Sequence, residues 1–206
     1  MRKYVTIFVA LLTAFAVSTS IVGCGDDDDS PTNPGTGNNE NLPLAMGNKW
    51  VMDLKDYTND NLDSTYIDSM VIDTSFVRTG QTWYGQKGDD VYYRTGSEGA
   101  FQLIDMGGSF LEIKIMKPSA HVGEDWIEMV SNDTMKVEVL GVNESVTTPA
   151  GTFTGCHHYL MSFRGVTYTQ EYWMKVGVGF VKMVNGNEFG GTRRRSEGLL
   201  KSYHIQ

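Results

Sequence analysis

One cysteine and two histidines stand together at Cys156-His157-His158, inside the stretch FTGCHHYLMSF. Thiolate and imidazole bind zinc, and together they can form a nucleophile and its base. Their spacing decides what they can do. On a strand, residues i and i+2 share a face. Cys156 and His158 then point one way with Thr152, Thr154, Leu160, Ser162 and Arg164, while His157 joins Phe153, Tyr159, Met161 and Phe163 on the other. A zinc site takes three or four ligands, and this stretch offers only Cys156 and His158. His121 and His204 are distant in sequence and belong to no ligand motif. A nucleophile pair needs close contact and an orienting third group, whereas i, i+2 side chains diverge from Cα atoms about 6.5 Å apart. The apolar face is the stronger pattern. The stretch reads as a core strand, with Cys156 and His158 as its one metal option.

Three other polar groupings have chemistry to consider. Asn59, Asn61 and Asp63 alternate like the start of an EF-hand loop, but Ser64 stands where that loop needs glycine and Met70 where it needs glutamate. A hairpin loop fits better. Arg193, Arg194 and Arg195 follow a Gly-Gly pair and offer either an anion site for phosphate or sulfate or a solvated hairpin tip that balances local charge. Asp26 to Asp29 could attract a cation, yet four adjacent like charges repel and belong in solvent. No H-E-x-x-H, G-x-S-x-G, P-loop or paired C-x-x-C occurs. No cofactor and no enzymatic activity is expected; a triad assembled from distant strands would be the remaining route to one.

The chain opens with a basic start (Arg2, Lys3), an apolar run and then small residues, the pattern of a secretory leader over residues 1–23. Ile21-Val22-Gly23-Cys24 resembles the bacterial lipobox, in which the cysteine is acylated and becomes the first residue after cleavage. Each buried CH₂ contributes about 0.8 kcal/mol, so two or three acyl chains of palmitate type hold a protein on a membrane without a spanning helix. Acylation of Cys24 would leave Cys156 without a disulfide partner, since the chain has two cysteines. Cleavage removes two of the 17 basic residues and none of the 25 acidic ones, leaving a formal charge of −10. Such a surface argues against nucleic acid and against attachment to anionic headgroups.

Residues 24–41 comprise the lipidated cysteine and an acidic tether rich in Asp, Asn, Gly and Pro, with too little apolar surface to order itself. Acidic runs in this position also resemble the surface-export signals of some Bacteroidetes lipoproteins. From residue 42 to 206 the chain reads as one β domain. Trp50, Met52 and Leu54 alternate, as do Leu111, Ile113 and Ile115, then Val137 and Val139, then Leu199, Tyr203 and Ile205. Gly-rich breakers such as QKGDD, MGGS and NGNEFGGT separate them. Two stretches carry apolar residues on both faces. In one, Ile67 and Val71 oppose Met70, Ile72 and Phe76; in the other, Tyr172 and Met174 oppose Trp173. That pattern suggests a sheet curled around a filling or a cavity. The expectation is all-β: a curved antiparallel sheet of about ten strands, forming a partly open barrel.

Three stretches carry a resemblance: LPLAMGNKWVMDL, VTTPAGTFTGCHHYLM and YWMKVGVGFVKMV. Their order resembles uncharacterised bacterial secreted and lipoprotein families of the type P-L-x-x-G-x-x-W, P-A-G-T-F and Y-W-x-x-x-x-V-G-x-V-K. Those domains are distantly similar to the half-barrel of the LolA/LolB-like lipoprotein carriers. The resemblance implies an all-β, envelope-associated fold and no catalytic residues. In physical terms, Pro149-Ala150-Gly151 suits a type II turn, Gly177 and Gly179 suit a bend or a close backbone approach, and Trp50 and Trp173 suit core anchors.

The function these features support is that of a cell-envelope lipoprotein, lipid-anchored and placed at the outer membrane, facing the periplasm or the cell surface. Its domain would bind an apolar or amphipathic ligand, or a partner protein. A ligand-free assembly role is the alternative, and an envelope-polymer hydrolase the less favoured one.

Overall fold

The structure, a computed structural model, describes residues 41–130, 133–165 and 167–206. The expected leader, Cys24 and the Asp26–Asp29 run lie outside the described residues. Thirteen strands and no helix occur among those described, in two antiparallel sheets that do not close into a barrel. The larger sheet runs, in spatial order, β2 (Asn61–Val71), β1 (Lys49–Thr58), β13 (Thr192–His204), β12 (Gly179–Phe189), β11 (Thr169–Lys175), β10 (Gly151–Phe163), β9 (Asp133–Thr148) and β8 (Asp125–Val130). The smaller runs β3 (Thr74–Arg78), β4 (Gln81–Gly85), β5 (Val91–Gly96), β6 (Gly99–Asp105) and β7 (Phe110–Met116). The all-β antiparallel expectation stands. The count rises from about ten because Gly-containing turns split stretches that read as single strands, as at Gly177 between β11 and β12.

The alternation seen in sequence becomes burial. Trp50, Met52 and Leu54 are buried, as are Leu111, Ile113 and Ile115, and Val137 and Val139. Burying each such side chain contributes roughly 1.5–3 kcal/mol. At the C-terminus the expectation shifts by one residue. Ser202 pairs with Val51 but Leu200 pairs with Met52, so Lys201 is an extra residue in β13. This bulge puts Tyr203 opposite Trp50 and Leu200 opposite Met52, on one face. Leu200 is therefore fully buried, and Leu199 is half-buried.

The inner faces of the two sheets meet in one core. Tyr159, Met161, Tyr172 and Met174 from the larger sheet share a cluster with Ile104, Ile113, Ile115 and Met116 from the smaller. Two phenols cross the gap. Tyr172 Oη donates to the Ile115 carbonyl at 2.8 Å, and Tyr159 Oη to that of Lys117 at 3.3 Å. Tyr172 and Met174, expected on a sheet curled around a filling or a cavity, are thus part of the filling between the sheets. The outer side of β2 is also not a second apolar lining, since Ile67 is 58% exposed.

Each end of the first motif is tied down. Asn48, 1% exposed, donates to the Pro43 carbonyl and accepts from the Gln206 backbone N–H. Gly47 has φ of 90° and lies so close to Gln206 that a Cβ would collide with its side chain. Trp50 Nε1 donates to the Val178 carbonyl at 2.6 Å, and a Cβ on Gly179 would strike Leu42. The domain entrance, the C-terminus and the β11–β12 turn are therefore joined at one end of the large sheet. The β1–β2 turn and the β12–β13 turn lie at the other, about 30 Å away along β1.

Candidate functional site

The outer face of the large sheet, turned away from the small one, carries a connected polar grouping. His158 stands on β10 opposite Trp173 on β11 and Gly141 on β9. Its ring stacks on the Trp173 indole, with centroids 3.9 Å apart and planes 18° apart. His158 Nδ1 lies 3.1 Å from Glu144 Oε1, and Nε2 lies 3.1 Å from Glu171 Oε2. Glu144 is shared, since its Oε2 accepts from Trp173 Nε1 at 2.6 Å. Lys182 Nζ covers the indole at 4.5 Å from its centroid. The glycine at 141 makes room, because a Cβ there would collide with the Glu144 carboxylate. Burial pushes the Glu144 carboxyl up, but the hydrogen bonds from Trp173 and His158 outweigh it and hold the group below its usual value.

This arrangement restricts His158. Both ring nitrogens face carboxylates, so neither is open to a metal or to a substrate proton while the grouping is intact. Cys156, fully buried, directs its thiol to the Phe153 carbonyl at 3.4 Å, and burial pushes the thiol pKa up. Register slips on both sides of Cys156 and at His158 break the regular alternation of β10 against β9. Cys156 and His158 thus engage separate partners and are not drawn into one ligand set. Among the described residues no group of three or more His, Cys, Asp or Glu side chains converges on a metal position. His157 takes a third direction, with Nδ1 3.1 Å from Tyr159 Oη; burial, aided by Lys175, lowers its pKa.

Beside Glu171, a groove of about 290 Å³ opens on the same face. Thr167 and Thr169 line one side, Arg193 and Arg195 the other, with Gly186 between. Glu171 and Glu188 also line it. Asn59 Oδ1 accepts from the Arg193 backbone N–H at 2.9 Å, and the Asp60 carboxylate meets the Arg193 guanidinium. Arg195 rests 4.8 Å above the Tyr57 ring and pairs with Glu197 at 3.0 Å. These contacts lock the β1–β2 turn onto β13. They also place the acidic stretch 59–65. Asn59 and Asp60 form the hairpin tip with φ of 49° and 65°, and Asn61 Nδ2 reaches the Thr58 and Asn59 carbonyls. The Asn59 side chain is thus spent on the β13 backbone and that of Asn61 on the hairpin's own.

The expected turn at Pro149-Ala150-Gly151 and the two tryptophan anchors can be placed. The positive φ after Pro149 falls on Gly151 (128°) and not on Ala150, so the turn is not type II. Thr148 Oγ1 instead accepts from the Ala150 N–H and donates to the Gly151 carbonyl, each at 3.2 Å. Trp50 is a core anchor as expected; Trp173 is also buried, but under polar partners on the outer face. Glu144, Gly141 and Glu171 escaped the sequence reading because no local pattern marks a cross-strand neighbour.

No protein-family model and no curated protein matches the chain. Among solved structures, the chain is similar to an exported protein with a YmcC-like fold from Bacteroides fragilis, at 13% identity and a TM-score of 0.46. The similarity covers 80% of this chain and 99% of that one. It is also similar to a lipoprotein from Parabacteroides distasonis, at 14% identity and a TM-score of 0.37, over 81% and 99% of the two chains.

Proposed function

We propose that this chain is a cell-envelope lipoprotein, anchored through acyl chains on Cys24 to the outer membrane, whose β domain binds a partner protein and catalyses no reaction. One observation carries the choice of partner over internal ligand: the inner faces of both sheets are packed against each other through Tyr159, Tyr172, Ile113 and Ile115. Binding is then left to the outside. The outer face of the large sheet holds the His158 grouping and the groove. The groove lies toward the β12–β13 turn, while residue 41 enters the fold at the opposite end, where Asn41 Nδ2 donates to the Gly96 carbonyl. An anchor on Cys24 would leave the groove end free to meet a partner away from the membrane.

Two measurements test this. Metabolic labelling with an alkyne palmitate should mark the wild type, and Cys24→Ala should abolish both label and membrane partition. A photo-crosslinking residue placed at Thr169 should give one discrete protein adduct that the same residue at Val77, on the small sheet, does not give. Equal adducts from both positions would sink the outer-face assignment. Stoichiometric lipid retained by the mature protein in native mass spectrometry would restore the internal apolar ligand.

A further inference from the structure

We infer that the groove beside Glu171 is a binding site for one compact oxyanion, the phosphate group of a small or carbohydrate-borne phosphate. The inference rests on the outer face being the binding face. Arg193 and Arg195 are i, i+2 on β13 and so share a face, with Cα atoms about 6.5–7 Å apart. Both are held in place before any ligand arrives. Arg193 is fixed by Asp60 and by the Asn59 contact to its backbone, Arg195 by Glu197 and by the Tyr57 ring. Asp60 and Glu197 each meet their arginine at Nη2, leaving further donors on each guanidinium fork. Planar forks of this kind match the oxygens of phosphate in pairs.

The opposite side supplies the Thr169 hydroxyl, while that of Thr167 already donates to the Glu188 carbonyl. Thr169 stands in register with Gly186, which in turn stands opposite Arg195. Gly186 leaves the groove floor without a side chain, and a Cβ there would sit 3.1 Å from Thr169 Oγ1. Arg194, between Arg193 and Arg195, also lines the groove and stands opposite Asn187. The acids set the size limit. Glu188 stands opposite Arg193 and Glu171 lies beyond Thr169, held by His158. A carboxylate toward each end repels an extended polyanion and tolerates a single small anionic group between the arginines.

The test is calorimetric titration of the mature, lipidated protein in neutral detergent with inorganic phosphate and with glucose 6-phosphate. Saturable binding is expected, weakened about tenfold or more in the Arg193→Gln/Arg195→Gln variant through loss of charge-assisted hydrogen bonds. Thr169→Val, which keeps every charge, should weaken binding less while leaving the circular-dichroism spectrum unchanged. Tighter binding of the sugar phosphate would identify a phosphorylated carbohydrate as the source, and equal binding would identify free phosphate. Absence of saturation with both anions at millimolar concentration, or unchanged affinity in the double-arginine variant, overturns the inference. Phosphate binding without any discrete Thr169 adduct upholds the inference and overturns the partner-protein assignment alone.

Discussion

Trp173 Nε1 donates to Glu144 Oε2 at 2.6 Å across the intervening strand β10, and the same carboxylate holds His158 through its other oxygen. One glutamate therefore sets the position of both stacked rings. Replacing it removes a charge-assisted acceptor from a buried indole N–H. Glu144→Ala is expected to lower unfolding free energy by about 1–2 kcal/mol, the low end for charged hydrogen bonds because the carboxylate is 39% exposed. Urea denaturation at neutral pH measures it.

Gly141 opens the space that Glu144 occupies. Gly141→Ala should displace the carboxylate and cost about as much as losing it. The double variant with Glu144→Ala should then be less destabilised than the sum of the two, since the obstruction no longer has anything to displace. A double-mutant cycle giving strict additivity would contradict the placement of Glu144 over Gly141.

The two sheets are joined by phenols. Tyr172 is buried and its hydroxyl meets the carbonyl of Ile115 on β7, so Tyr172→Phe leaves a buried acceptor without this donor. A loss of about 1–2 kcal/mol is expected, without change in the cooperativity of unfolding. Burial also raises the phenol pKa well above its usual value, so this hydroxyl should stay un-ionised through alkaline titration until the fold opens.

His157 should make stability depend on pH in the mildly acidic range. Its pKa is lowered from 6.5 by burial and by Lys175, so the unfolded chain takes up the proton before the folded one does. Stability is therefore unaffected above 6.5 and falls as pH drops through 6.5 toward the depressed folded value. Differential scanning calorimetry between pH 7.5 and 5.5 should show a steeper fall in Tm for the wild type than for His157→Asn, to an extent set by the shift.

Cys156 is fully buried, and burial raises its thiol pKa. It should resist maleimide labelling in the native protein and react fully in denaturant. Rapid native labelling would show that the strand opens at the Gly155 irregularity, where φ is 68°.

Much of this protein is legible residue by residue. The expectations of a leader, of a lipobox at Ile21-Val22-Gly23-Cys24 and of a solvated acidic run rest on contiguous residues and call on no fold. The buried sets at Trp50–Leu54, Leu111–Ile115 and Val137–Val139 follow from the two-residue period of an extended backbone, which is a local property. The close approach at Gly179 was also readable from residue type.

What the tertiary structure decided is which strands become neighbours. Glu144, Gly141, Trp173, His158 and Glu171 come from three strands, and nothing in their spacing announces that they meet. The extra residue at Lys201 reverses the buried side of β13, because a bulge is selected by the partner strand and not by the strand's own sequence. The division into two sheets, and the filling of the space between them, depend on how whole faces pack. Cys156 and His158 show the difference most plainly. Adjacency and alternation could pair them on paper, but long-range packing committed the thiol to a carbonyl and the imidazole to two carboxylates.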